Sequence, residues 1–243
     1  MIEETSQALS GAPKMIIGSK PIDGGYLIFN DSEKASFLAA EPAAQRFMRP
    51  FIGGVEYLQG RSRWILALQT ASPTELRSMP DVLERLKAVR EYRNGERSAR
   101  RQVDREPQTP GISARTLADT PTAFHVTVIP TAPFLAIPEN SSETREYLPI
   151  GWLEPPIIPS NKLRFIKDAD LWHFGILTSR FHMAWLRYVG GRIKSDFQYS
   201  IGIVYNTFPW PDASNAQRTK IRTLAQAVLD ARREFPNYAG GLV

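Results

Sequence analysis

Residues 161–211 read NKLRFIKDADLWHFGILTSRFHMAWLRYVGGRIKSDFQYSIGIVYNTFPWP. Asp168 or Asp170 can cap a helix, and apolar residues then recur at Leu171, Phe174, Leu177, Phe181, Trp185 and Tyr188. A three-to-four spacing places all of these on one helical face, so a single core-facing helix is expected. Gly190 and Gly191 should end it, because glycine takes the left-handed conformation of a helix end at least cost. A polar, basic turn follows, with Arg192, Lys194, Ser195, Gln198, Tyr199 and Ser200. The apolar run 201–205 reads as a buried strand, and Phe208-Pro209-Trp210-Pro211 closes the segment rigidly. Side chains of the turn suit a grip on a phosphate backbone. Solvated surface charge explains the same composition.

The whole chain has 243 residues, room for one large domain or two small ones with an ample core. A hydrophobic fraction of 42% indicates a globular protein. Without cysteine there is no disulfide frame, thiolate metal site or cysteine nucleophile, which fits a reducing cytoplasm. No apolar run approaches the roughly 18 residues of a membrane span, and the polar, acidic start MIEETSQALSGAPK does not read as a signal peptide. The net charge of +5 favours a polyanionic partner without requiring one.

Short strands are expected at 14–18 and 26–29, separated by the turn Ser19-Lys20-Pro21-Ile22-Asp23-Gly24-Gly25. Asn30 and Glu33 have capping-box spacing, which predicts a helix over 31–40. Another short helix should begin at Glu41-Pro42 and end before Pro50. Residues 56–58 and 63–68 read as a hairpin about Gln59-Gly60-Arg61-Ser62. Ser72-Pro73-Thr74-Glu75 starts a helix predicted to run from 73 to about 102, kinked or split at Pro80. Its basic side chains include Arg85, Lys87, Arg90, Arg93, Arg97, Arg100, Arg101 and Arg105, partly offset by Glu84, Glu91, Glu96 and Asp104. A solvated face and a DNA-backbone contact both account for that composition. Residues 106–113 read as a linker, and strands are expected at 125–129, 134–137 and 148–153, with a polar loop over 140–147. Ser214 and Gln217 should cap a last helix over 215–234, with Ile221, Leu224, Val228 and Leu229 inward. The pattern is α+β, with mixed and antiparallel strands, flanking helices and a helical C-terminal segment.

Catalytic signatures are absent from the sequence. A methyltransferase acting on adenine or cytosine needs a glycine-rich cofactor turn and an Asn/Asp-Pro-Pro-aromatic loop. Glu154-Pro155-Pro156-Ile157 supplies only the prolines. There is no Walker motif. Asp81, Glu84 and Lys87 follow ordinary helix-surface spacing rather than that of a metal nuclease. His125, His173 and His182 fit no zinc pattern, so core or surface roles are expected.

Several blocks look familiar: IGSKPIDGGYLIF (17–29), RPFIGGVEYLQG with RWILAL (49–68), ADTPTAF (118–124), SSETREYLPIGWL (141–153), NKLRFIKDADLWHFGILTSRFHMAW (161–185) and GRIKSDFQYSIGIVYNTFPWP (191–211). They resemble the C-terminal part of MmeI-like, type IIL restriction-modification enzymes and their N6-adenine methyltransferase relatives. The resemblance implies a target recognition domain over 12–160 and the start of a helical C-terminal segment over 161–243. It makes the chain look like a fragment of a longer enzyme. It implies sequence-specific binding of double-stranded DNA in partnership with a methyltransferase domain. The methyl donor S-adenosylmethionine would bind that domain, and this chain would hold no cofactor or metal. Phosphate contacts are then expected from Arg192, Lys194, Ser195, Tyr199, Lys162 and Arg164. Base reading needs groups that donate and accept in a groove, and Asn140, Glu143 and Arg145 offer them. A salt bridge within the loop would explain Glu143 and Arg145 equally. The rival function is an assembly fragment that docks on a methyltransferase domain, through residues 172–188 and Phe208-Pro209-Trp210-Pro211.

Overall fold

The computed structural model describes residues 2–100 and 111–234. In chain order, β1 (Met15–Ile17) and β2 (Ile28–Phe29) precede α1 (Asp31–Ala40), a 3-10 helix (Pro42–Phe47), β3 (Met48–Ile52) and α2 (Gly54–Gln59). Next come β4 (Trp64–Leu66), α3 (Pro73–Arg77), α4 (Pro80–Asn94), α5 (Ile112–Arg115), β5 (Phe134–Pro138) and β6 (Asn140–Ser141). Then follow β7 (Gly151–Leu153), β8 (Ile158–Pro159), β9 (Leu163–Ile166), α6 (Leu171–Leu177) and α7 (Arg180–Val189). The remaining elements are β10 (Gly191–Ile193), β11 (Asp196–Gln198), a π-helical turn (Ile201–Tyr205) and α8 (Asn215–Glu234). The fold is α+β.

The first sheet has the order β2-β4-β3-β8, antiparallel except where β3 meets β8. Phe29, Phe51, Ile65 and Leu66 of this sheet pack with Val82, Leu86 and Val89 of α4 in one apolar cluster. Helix starts follow their local signals. Asn30 Oδ1 accepts from the Glu33 amide at 2.8 Å, while the Glu33 carboxylate accepts from the Asn30 amide. Ser72 and Glu75 form the same reciprocal pair at α3.

Two expectations in this region are corrected. Residues 56–58 lie in helix α2 rather than a hairpin, because Glu56 turns back to accept from the Gly53 amide at 2.8 Å. β4 instead pairs with β2 and β3. The helix expected to reach about 102 splits at Pro80 and stops at Asn94, where Gly95 is left-handed with φ +83°. Arg97 and Arg100 therefore lie beyond it, and Arg101 and Arg105 lie outside the described residues.

A second, antiparallel sheet has the order β1-β9-β5-β7. β9 lies between β1 and β5, so strand pairing carries across residues 160 and 161. Residues 125–129 form no strand; Val126 makes an isolated bridge to Lys20. A third, small sheet has the order β10-β11-β6.

The central stretch departs most from expectation. Its single helix is two, because Thr178 Oγ1 turns back to the Phe174 carbonyl and Ser179 Oγ caps α7 by accepting from the His182 amide. The break rotates the face, leaving Phe181 53% and Tyr188 84% exposed. Gly190 is extended at φ −69°, not left-handed. Its need for glycine is close approach, since a Cβ there would lie 2.5 Å from the Leu186 carbonyl oxygen. The run 201–205 is a π-helical turn rather than a strand, capped by Ser200 Oγ on the Ile203 amide. Tyr205 of that turn donates its hydroxyl to the Pro13 carbonyl at 2.6 Å, holding the N-terminal segment. Helix α8 begins as expected, with Ser214 and Gln217 exchanging bonds. Ala225 faces inward, whereas Leu224 and Val228 are exposed, contrary to expectation.

Candidate nucleic-acid interface

Strand β10 pairs with β11 through Arg192↔Phe197 and Ile193↔Asp196, leaving Lys194 and Ser195 at the turn. Lys194 is left-handed at φ +56°, an unusual conformation for a side chain with a Cβ. Arg192, Lys194 and Ser195 are all exposed. Arg192 donates to the Ser195 carbonyl at 3.0 Å, and its guanidinium lies 3.9 Å from the centre of the buried Phe197 ring. This stacking gives an otherwise mobile cation a fixed direction.

The other edge of β11 pairs with β6, through Phe197↔Ser141 and Gln198↔Asn140. That pairing brings the loop 142–147 beside the hairpin, where the Glu143 amide donates to Asp196 Oδ1 at 3.3 Å. Glu143 is exposed and Arg145 half-buried. The side chains of Arg145 and Lys194 have no hydrogen-bond or ion-pair partner among the described residues. Arg180 of α7 supports the far end of the loop by donating to the Tyr147 hydroxyl at 3.0 Å and reaching Glu146 at 3.5 Å. Asn140 is half-buried, and its Oδ1 is buried with no hydrogen bond among the described residues.

Two expected phosphate contacts are corrected by burial. Tyr199 is 1% exposed, and its hydroxyl lies 2.9 Å from Nε2 of the fully buried His182. Arg164 is 7% exposed; it donates to the Tyr199 carbonyl at 3.1 Å and to Glu139 Oε1 at 2.9 Å. Both residues brace the hairpin from beneath. Lys162 is exposed but bonds Glu139 Oε2 at 2.8 Å, so its cation is already engaged. Burial pushes the Tyr199 phenol well up and pulls His182 down to about 3, so both are neutral at pH 7. Sequence reasoning missed Glu139, His182 and Arg180. Glu139 carries no local signal, since only the folded chain brings Lys162 and Arg164 to it.

The cations of α4 divide: Arg85 and Arg93 turn inward, while Lys87 and Arg90 stay exposed. Arg93 is fully buried, and Arg85 donates to the Tyr26 carbonyl while lying over the rings of Phe29 and Phe37. Burial lowers the Arg85 guanidinium to about 10, still charged at neutral pH. Arg90 and Lys87 are spanned by Asp119 and Glu91. The phosphate-binding alternative for α4 therefore rests on Lys87 and Arg90 alone, each in a weak surface pair. Among the described residues, no group of three or more His, Asp or Glu is placed to hold a metal, and no helix is long and apolar enough to cross a membrane.

The model of the family described as the MmeI target recognition domain matches residues 1–212. The chain belongs to that family. This target recognition domain is 33% identical over 234 residues to DNA methyltransferase A of Bacillus subtilis (strain 168), covering 96% of the chain and 25% of the relative. It also superposes on the solved structure of the type IIL restriction-modification enzyme MmeI in complex with DNA. The TM-score is 0.89 at 37% identity, over 99% of this chain and 30% of that one. The chain thus spans a quarter of the first relative and under a third of the second.

Proposed function

We propose that this chain is the sequence-specific duplex DNA recognition module of an adenine-specific DNA methyltransferase or restriction-modification enzyme. The observation that carries this reading is the β6–β11 pairing, which joins a loop of hydrogen-bonding side chains to a hairpin with outward cations. Arg192, Lys194 and Ser195 hold phosphates and set the orientation, while Lys162 is held by Glu139. Glu143 and Arg145 read base edges: a guanidinium suits guanine O6 and N7, and a carboxylate suits the cytosine amino group. Asn140, with its Oδ1 buried, is the weaker reader. A separate methyltransferase domain would hold S-adenosylmethionine and the target adenine, because the glycine-rich turn and the Pro-Pro-aromatic loop are missing from this sequence. The cytoplasm is the compartment consistent with such work.

The direct test is selection from random duplex DNA on the purified chain at two salt concentrations. A short motif that persists at the higher salt supports an autonomous specificity module. Binding without a motif, with a steep salt dependence, reduces the chain to a phosphate grip. The second reading, a docking fragment, is favoured by the exposed Phe181 and Tyr188 of α7 and by Leu224 and Val228 of α8. Within the segments 172–188 and 208–211, Trp172 and Phe208 are buried and contribute nothing to that surface. Failure to bind DNA at either salt would favour docking.

A further inference from the structure

Strand β5 runs into β6 through a single residue, Glu139, which lies directly before the readout loop's first strand. Every polar group of Glu139 is spoken for. Its amide donates to the Lys162 carbonyl at 3.0 Å, and its carbonyl accepts from the Tyr199 amide at 2.7 Å. Its two carboxylate oxygens separately accept from Arg164 and Lys162. Arg164 closes the circuit by donating to the Tyr199 carbonyl at the foot of β11. The Glu139 and Arg164 side chains are 15% and 9% exposed, so these charged bonds act in a poorly screened setting.

We infer, resting on the proposed DNA reading, that Glu139 is a positioning residue for the interface. It fixes the readout loop relative to the phosphate-gripping hairpin, and it keeps Lys162 from acting as an indiscriminate phosphate contact. The carboxylate is ionised at neutral pH. Burial pushes it up, but the Lys162 hydrogen bond and the charges of Arg164 and Lys162 outweigh burial and hold it below the ordinary value. Glu139→Gln keeps the shape and removes the charge. Arg164 then loses its carboxylate partner among the described residues, and Lys162, with a half-exposed side chain, becomes available to DNA. Discrimination and non-specific attraction should therefore move in opposite directions. An ordinary structural defect would weaken both together.

The test uses the purified chain, a duplex enriched by the wild type from a random pool, and a scrambled duplex of the same composition. For E139Q, the ratio of the two affinities should fall about tenfold, within the range expected when one bidentate base contact is misplaced. Its binding to the scrambled duplex should become steeper in salt by about one phosphate contact. Adding Lys162→Met should return the salt slope to the wild-type value while the ratio stays low. An unchanged ratio in E139Q overturns the inference. So does an equal weakening on both duplexes accompanied by a lower melting temperature, which would mark a structural role only. A wild-type chain with no preference fails the DNA reading itself, and is recognised before any variant is compared.

Discussion

Arg93 and Arg192 are the same residue put to opposite uses. The Arg93 guanidinium is fully buried and donates to the backbone carbonyls of Pro21, Ile22, Leu117, Thr120 and Ala123. It ties α4 to the turn before β2 and to the segment after α5. Arg192 is exposed, makes one hydrogen bond within its own turn, and leans on Phe197. A cation surrounded by carbonyls serves the fold and adds little to the field felt by DNA. A cation held rigidly at a hairpin edge does the reverse. The net charge of +5 therefore says little about affinity until each arginine has been placed.

The largest expected effect is on the inward side. Arg93→Met should strand its carbonyls and cost about 3–5 kcal/mol of stability in chemical denaturation. In the fraction that remains folded, the salt slope of DNA binding should match the wild type. A changed slope would mean that Arg93 also acts on DNA, and the contrast would collapse.

His182 provides the next largest effect. Its folded-state pKa, about 3, lies below the ordinary 6.5, so the unfolded chain takes up the extra proton. Stability from this group is complete above pH 6.5 and drains away as pH falls toward 3. Between pH 7 and 5 the loss should approach about 2 kcal/mol. Thermal melting of wild type and His182→Gln across that window should show most of this slope in the wild type alone. A smaller slope of the same sign, from burial of His173, should remain in both.

Lys194 is the outward counterpart. Lys194→Ala should weaken binding to every duplex by about tenfold at low salt and lower the salt slope by about one. Its folding stability should stay within about 0.5 kcal/mol, as at other exposed sites. The smallest effect sharpens the contrast further. Lys194→Gly should lose the same DNA contact yet raise stability by about 0.5–1 kcal/mol, because glycine accepts the left-handed conformation at φ +56° without strain. Calorimetry and binding measured on the same sample would show the two quantities moving apart.

Local signals are legible in the sequence. The capping boxes at Asn30–Glu33 and Ser72–Glu75, the proline start at Pro73, the split at Pro80 and the cap at Ser214 each depend on residues within one turn, and each is present. The α+β class follows from the same elements. Non-local features were not legible. The cap at Ser179 is local too, but the apolar spacing over 171–188 masks it and hides the outward turn of Phe181. The composition of 191–200 shows Tyr199 as polar, while His182, Arg164 and Glu139 make it part of the interior. The loop 140–147 and the basic hairpin are separate candidates in the sequence, and the β6–β11 pairing sets them side by side. Family membership is carried by whole blocks of sequence rather than by single residues.

In the proposed function labour divides across that pairing, with bases read by the loop and phosphates held by the hairpin. The most direct test of this division compares Arg145→Ala with Lys194→Ala on the enriched and scrambled duplexes over a range of salt. Arg145→Ala should lower the affinity ratio and leave the salt slope on scrambled DNA close to wild type, whereas Lys194→Ala should preserve the ratio and flatten the slope. Two variants that behave alike would contradict the account.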